Sequence, residues 1–307
     1  MQDYSEVYSF LDSLAEKGDL TYERNAPLAQ YSSFKIGGPC SLAVFPKSRK
    51  RAVELLRGLR GMGKRILVFG NASNVLFCDK GIDGIVIFTT GFKEIILDGE
   101  GVIHADAGAS LTSVSQFAQK NGFEGFEFAC GIPGNIGGGA FMNAGAYEHS
   151  VSECIVGCVC FDMKSGEVRY IPASEIKYGY RTSSFQDSDL VILNVEIKLK
   201  PASDPEKVRE LMNDHLRSRN EKQPLEYPSA GSVFKRYPGY FTSKLIDEAG
   251  LKGLSVGGAE VSQKHAGFIV NKGGATASDV MLLIKQVQDR IFALHGIHIE
   301  CEVRYIV

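Results

Sequence analysis

The stretch that most restricts the fold of this chain is Gly131–Tyr147, G-I-P-G-N-I-G-G-G-A-F-M-N-A-G-A-Y. So many glycines disfavour a long helix or strand, permit positive φ angles, and let backbone N–H groups come close to a ligand. The stretch is neither of the familiar nucleotide loops. It has no G-K-[ST] of a Walker loop, and no G-x-G-x-x-G between strand and helix with a ribose-binding acid downstream. Taken alone it reads as a pair of tight turns. Two further loops change that reading. Gly70-Asn71-Ala72-Ser73-Asn74 follows the apolar run I-L-V-F, and Tyr31–Gly38, Y-S-S-F-K-I-G-G, is a third turn ending in glycine. Three such loops suit a long dianionic ligand whose pyrophosphate is held by backbone amides rather than by many cations.

The rest of the composition narrows the class. A chain of 307 residues can form two domains with a well-buried core, and 44% hydrophobic residues with 23% charged is ordinary for a globular protein. A net charge of −2 leaves no basic excess for a nucleic-acid backbone. The N-terminus M-Q-D-Y-S-E-V-Y-S-F-L has neither the basic nor the apolar region of a signal peptide, and no run has the length of a membrane span. The expectation is a cytoplasmic protein with no membrane partner. Seven scattered cysteines, an odd number, fit reduced thiols. Cys154, Cys158 and Cys160 form the one cluster, but C-x3-C-x-C lacks zinc-type C-x2-C pairs, and I-V-G-C-V-C-F reads as a buried strand with no metal.

Periodicity predicts helices over Ser5–Lys17, Ala52–Leu59, Leu111–Lys120, Pro205–Arg219 and Ser278–Leu294, the last N-capped by Ser278. Short β-rich runs fill Ile85–Ala107, Glu153–Ile171 reads as a hairpin turning at M-K-S-G, Leu190–Lys200 is a strand, and Ile297–Val307 a closing strand. A boundary follows Lys200, where Pro201–Pro205 breaks the pattern, and beyond it lies a second α+β module that includes Phe241–Ala249.

Taken in order, Y-S-S-F-K-I-G-G, G-N-A-S-N-V-L, the Gly131–Tyr147 stretch, Y-G-Y-R-T-S-S-F, K-Q-P-L-E-Y-P-S-A-G-S-V-F-K and E-C-E-V-R-Y-I resemble the signatures of UDP-N-acetylenolpyruvoylglucosamine reductases. Each motif is weak alone; the ordered set covers nearly the whole chain. The resemblance implies an α+β fold of the vanillyl-alcohol-oxidase type. An FAD-binding domain would occupy 1–200, in subdomains of about 1–88 and 89–200. A UDP-sugar domain would span 201–300, and the strand 301–307 would return to the active site and the FAD domain. It implies non-covalent FAD with NADPH as co-substrate. It places Gly70, Asn71, Ala72, Ser73 and Asn74, together with Gly131, Ile132, Pro133, Gly134, Asn135, Gly137 and Gly138, along the cofactor, with Lys35, Asn143, Gly145 and Ala146 nearby.

The implied reaction passes a hydride from NADPH to FAD and then from reduced flavin to C3 of an enolpyruvyl ether. Charge then builds at C2 and needs electrophilic stabilisation and a proton donor. By motif, Ser232 matches the proton donor to C2, Arg181 the group that holds the substrate carboxylate, and Glu302 a group that polarises or reprotonates near C2. Lys222 matches a lysine near the nucleotide-sugar; Lys252, Tyr147 and Tyr180 are further substrate-binding candidates. Arg236 stands where some members carry asparagine, and His265 where others carry glutamine. Only about one helix fits between the 190–200 strand and Lys222, so the chain looks like the shorter type without the substrate-covering tyrosine insertion. A monomer or weak oligomer is expected. Competing readings are another FAD-dependent oxidase or dehydrogenase of the same fold and a nucleotide-sugar-binding module without chemistry. A serine hydrolase ranks last, because Val233 and Phe234 follow Ser232 in place of a G-x-S-x-G elbow.

Overall fold

The computed structural model describes residues 3–307. They form two compact units. The first comprises the chain up to Arg24, Leu42–Asn71 and Gly84–Arg217; the second comprises Asn25–Ser41, Ala72–Asp83 and Ser218–Val307.

In the first unit, helix Ser5–Ala15 buries Val7, Leu11 and Leu14, one face at helical spacing. Helix Arg49–Leu59 buries Ala52, Leu55, Leu56 and Leu59 and is N-capped by Ser48, whose hydroxyl accepts from Arg51 N–H at 3.2 Å. One sheet has the order Val168–Pro172, Ile155–Asp162, Leu190–Lys198, Val102–Asp106, Ile95–Leu97, with every pair antiparallel. Its central strand, L-V-I-L-N-V-E-I-K, is a near-continuous apolar run, as a strand covered on both faces requires. A smaller sheet has the order Leu20–Pro27, Pro39–Pro46, Ile82–Phe88, Ile66–Phe69, the last two parallel. Cys154, Cys158 and Cys160 lie in the core. Burial pushes the Cys154 and Cys160 thiols up to about 12, and Cys158 moves in the same direction. Among the described residues no group of three or more His, Cys, Asp or Glu could hold a metal.

The second unit packs helix Ala277–His295 on an antiparallel sheet ordered Ser229–Ser232, Phe268–Asn271, Ala259–Val261, Ser255–Val256. Strand Arg304–Ile306 runs parallel to Val75–Phe77. No helix among the described residues is long and apolar enough to cross a membrane.

Three details differ from the sequence reading. The chain does not divide at Lys200: the first unit continues to Arg217, and 25–41 and 72–83 belong with the C-terminal part. The cause is packing, since Phe34, Ile36 and Leu76 bury themselves among Ile246, Leu283 and Val303. The long helix is capped by Thr276, not Ser278. Thr276 and Asp279 form a reciprocal capping box, at 3.0 and 2.9 Å. The closing strand is short, because Glu302 and Val303 both turn their N–H groups to Val233 O, at 2.7 and 3.5 Å.

Ser278 instead meets Asp79. The Asp79 carboxylate accepts from Ala277 N–H at 2.6 Å, Ser278 N–H at 2.9 Å and the Ser278 hydroxyl at 2.7 Å. Burial alone would raise its pKa, but these bonds outweigh that and hold it below 3.8. The stabilisation is therefore complete above the ordinary aspartate value and is lost as pH falls through the lower folded value. Asp79→Asn should cost about 1 kcal/mol at pH 7, a modest figure because the site is solvent-screened. Urea unfolding at pH 7 and pH 3 checks it, with a smaller difference between variant and wild type expected at pH 3.

Candidate active site

Strained backbone marks the residues chosen from the motifs. Among the described residues, the non-glycine positions with positive φ are Asn25, Lys35, Ala72, Asn143, Tyr147, Glu148 and Arg181. All but Asn25 and Glu148 are site candidates. A left-handed conformation costs a residue with a Cβ roughly 1–2 kcal/mol, so each needs neighbours that hold it.

In the first unit, Gly134–Gly137 zips against residues 107–111. Leu111 N–H donates to Gly134 O at 2.9 Å, Ile136 N–H to Ala109 O at 2.8 Å and Gly137 N–H to Ala107 O at 3.0 Å. Asn135 Nδ2 donates to Gly108 O at 2.6 Å, while its Oδ1 is buried with no partner. A Cβ at Gly70 would stand 2.6 Å from that oxygen, so a side chain at Gly70 would close on it. The helix Ile136–Met142 ends at left-handed Asn143, whose Nδ2 donates to Gly179 O at 2.9 Å and whose Oδ1 accepts from Ser152 N–H at 3.2 Å. Arg181 occupies the turn between Tyr178–Gly179 and Thr182–Ser183, at φ 57°. Its Nη2 donates to Gly145 O at 3.0 Å and its Nη1 to Asn143 O at 3.5 Å, while Gln186 Nε2 donates to its carbonyl at 3.2 Å. The guanidinium, over the Tyr180 ring at 4.9 Å, is thus oriented by the carbonyls of the glycine-rich stretch.

Tyr147 and Glu148, both left-handed, form a two-residue turn between Ala146 and His149, the torsions of a type I′ hairpin. Tyr147 stacks on His215 with ring centroids 3.7 Å apart and donates its hydroxyl to His215 O at 3.1 Å. The hydroxyl of this substrate-binding candidate is therefore engaged within the protein. His215 and Gln186 were not foreseen. His215 sits in a charged helix, Pro205–Lys222, and carries no motif.

In the second unit, the strand bearing Ser232 has a bulge. Ser229 pairs with Val270 but Ser232 with Phe268, so one extra residue is inserted, and Gly231 takes φ +77°. A glycine bulge of this kind re-aims the side chain that follows. The Ser232 hydroxyl makes only long contacts, to Phe234 O at 3.4 Å and Gly267 O at 3.5 Å. A Cβ at Gly267 would stand 3.2 Å from both Ser232 Oγ and His265 Nδ1, so serine and histidine flank one bare Cα. His265 Nδ1 accepts from Gly267 N–H at 3.1 Å, and burial lowers its pKa, so the ring is neutral with its proton on Nε2. Glu302 follows Cys301, which is bridged to Phe234, and its own N–H reaches Val233 O at 2.7 Å. Ser232, His265 and Glu302 thus converge on one short segment.

Ala72 O accepts from Ser33 N–H at 3.4 Å, and Asn74 O from Arg304 N–H at 3.1 Å. The turn 72–74 is therefore held through its carbonyl oxygens. The remaining candidates are committed locally: Lys35 Nζ to Gln30 O at 2.9 Å, Lys252 to Asp247 at 2.7 Å, and Arg236 over the Phe241 ring at 5.1 Å. Lys222 is exposed at the end of its helix.

Two family models match the chain: an FAD-binding domain over residues 40–171, and the C-terminal domain of UDP-N-acetylenolpyruvoylglucosamine reductase over 223–306. The reductase of that name from Pediococcus pentosaceus is 44% identical over 298 residues, 97% of either chain. That of Clostridium perfringens is 40% identical over 306 residues, covering 100% of this chain and 99% of its own. The chain belongs to the UDP-N-acetylenolpyruvoylglucosamine reductase family. The crystal structure of the Thermus caldophilus member superposes with a TM-score of 0.80 at 31% identity, covering 94% of this chain and all of that one.

The fold is accordingly the α+β fold of that reductase with its FAD-binding domain, and the chain is an FAD-containing oxidoreductase of peptidoglycan precursor synthesis. The residues present fit the cofactor on structural grounds. Within the first unit, Asn135 offers a buried, unpartnered acceptor and a Cβ at Gly138 would meet open space. As expected for a reductase of the shorter type, one helix, Pro205–Lys222, fills the stretch between Pro201 and Ser229.

The bulge gives a direct test of how Ser232 is aimed. No atom lies within 4 Å of a Cβ built at Gly231, so an alanine there meets only backbone strain, about 1–2 kcal/mol. Gly231→Ala should keep its flavin absorbance, unfold at lower temperature and turn over about tenfold more slowly. Wild-type turnover in a destabilised variant would show that the bulge does not aim Ser232.

Proposed function

We propose that this chain reduces UDP-N-acetylenolpyruvoylglucosamine to UDP-N-acetylmuramate at the expense of NADPH. Non-covalently bound FAD would supply the redox chemistry, hydride exchange between NADPH and C3 of the enolpyruvyl group. The protein must hold the substrate carboxylate, stabilise the charge that develops at C2, and place a proton there.

Arg181 suits the first two tasks. Its guanidinium is fixed by Gly145 O and Asn143 O, and a planar fork of donors matches a carboxylate as it becomes an enolate. Ser232 suits the third. An unperturbed serine hydroxyl is a very weak acid, so only a strongly basic enolate or carbanion can take its proton. The long contacts to Phe234 O and Gly267 O leave that proton weakly held. Glu302, joined through its N–H to the residue after Ser232, polarises or reprotonates near C2. Neutral His265 beside Gly267 presents a hydrogen-bonding edge to the same segment without adding charge. Lys222, Lys252, Arg236 and Tyr180 remain the groups for the nucleotide-sugar, the lysines and arginine being suited to its diphosphate. The observation that carries this reading is the glycine bulge that turns Ser232 toward Gly267 and His265, with Glu302 on the adjoining backbone. A cytoplasmic monomer or weak oligomer fits the composition.

The experiment is anaerobic reduction by NADPH followed by addition of UDP-N-acetylenolpyruvoylglucosamine, with the flavin band followed by stopped-flow absorbance. The band should bleach and then return. Failure to return would sink the assignment. Ser232→Ala should leave reduction by NADPH within about twofold of wild type and slow reoxidation by about 10²-fold or more. Equal losses in both half-reactions would remove Ser232 as the proton donor.

A further inference from the structure

We propose that the side chain of Asn74 is a positioning residue for the proton-transfer site, holding the Glu302 backbone in line with Ser232, rather than a ligand of the cofactor. The inference rests on the roles given above to Ser232 and Glu302.

Glu302 lies outside regular structure. The bridge to Phe234 ends at Cys301, and the parallel strand with Val75–Phe77 begins only at Arg304. No strand ladder therefore sets the Glu302 segment; individual bonds do, among them Val303 N–H to Val233 O at 3.5 Å. The Glu302 N–H donates to Val233 O at 2.7 Å, and its C=O accepts from Asn74 Nδ2 at 3.3 Å. Asn74 then accepts Arg304 N–H on its own carbonyl at 3.1 Å, which starts the strand, and Cys78 N–H closes it on Ile306 O at 2.9 Å. Val75, Leu76 and Phe77 are buried, so the Asn74 backbone has little freedom to shift.

The acceptor at Glu302 is a carbonyl, so the group facing it must be a donor. That requirement fixes the amide orientation of Asn74 and excludes aspartate, which would set oxygen against oxygen. Loss of the donor leaves a half-buried carbonyl without this partner and frees one side of the peptide that carries Glu302. Because Val233 directly follows Ser232, the segment Asn74–Glu302–Val233 links residues 72–74 to the proposed proton donor through the Asn74 amide and the Glu302 backbone.

The test uses flavin-loaded Asn74→Asp and Asn74→Ala, with both half-reactions measured by stopped flow and hydrogen exchange followed in the peptide 301–307. The expected result is flavin retention and NADPH reduction within about twofold of wild type, reoxidation by the enolpyruvyl substrate slowed about tenfold or more, and a fall in kcat rather than a rise in KM. The peptide 301–307 should exchange faster while 277–295 is unchanged. Weakened flavin retention with normal reoxidation at saturating FAD would make Asn74 a cofactor ligand and overturn the proposal. So would wild-type exchange in 301–307. Glu302→Gln is the reference. If it reoxidises at the wild-type rate, the role of Glu302 fails and the inference with it; if it is slow while Asn74→Asp is fast, the inference alone fails.

Discussion

The chain keeps several non-glycine residues in left-handed backbone, and the site depends on the contacts that hold them there. Asn143 at φ 47° is tied by its amide to Gly179 O and Ser152 N–H, and its carbonyl in turn meets Arg181. Arg181 at φ 57° is tied by Gln186 at its carbonyl and by Gly145 O at its guanidinium. Tyr147 at φ 53° is pinned by the ring and carbonyl of His215. Each strained residue is held by at least one bond to a residue more than 30 positions away, so strain is offset and the side chain is fixed in one direction. A guanidinium fixed in this way needs little reorganisation to meet an anion.

The second unit achieves the same end by a different route. Its key backbone is held by one acceptor, Val233 O, which takes N–H groups from Glu302 and Val303, and by a glycine bulge rather than a strained residue. A bulge re-aims the side chain that follows it. It shifts the register by one residue, leaving Ser232 half-buried with only weak acceptors. Burial lowers the pKa of His265, which lies beside the same bare Cα of Gly267.

Much of this was legible in the sequence, for specific reasons. Leu111–Lys120 forms as read, because Leu111, Val114 and Ala118 alternate at helical spacing behind a capping serine. The hairpin around M-K-S-G and the strand from Leu190 follow from β-branched runs between turn residues. The unit boundary was not legible. Phe34, Ile36 and Leu76 look like any early apolar residues, and only their packing partners reveal which core they serve. The helix cap at Thr276 was missed because Ser278 is an equally good capping type, and its preference for Asp79 depends on a residue 199 positions away.

The sequence by itself determined the family and the cofactor. Glycine-rich turns, an arginine after Tyr180 and a serine after Gly231 are local patterns that few other folds need in that order. Tertiary structure decided what each side chain does with its bonds. Tyr147 turned to His215 and Asn74 to the Glu302 carbonyl, the latter across 228 positions of sequence. A motif records which atoms are available. Hydrogen bonding is decided by which partners come within about 3 Å, and that distance exists only once the chain has folded.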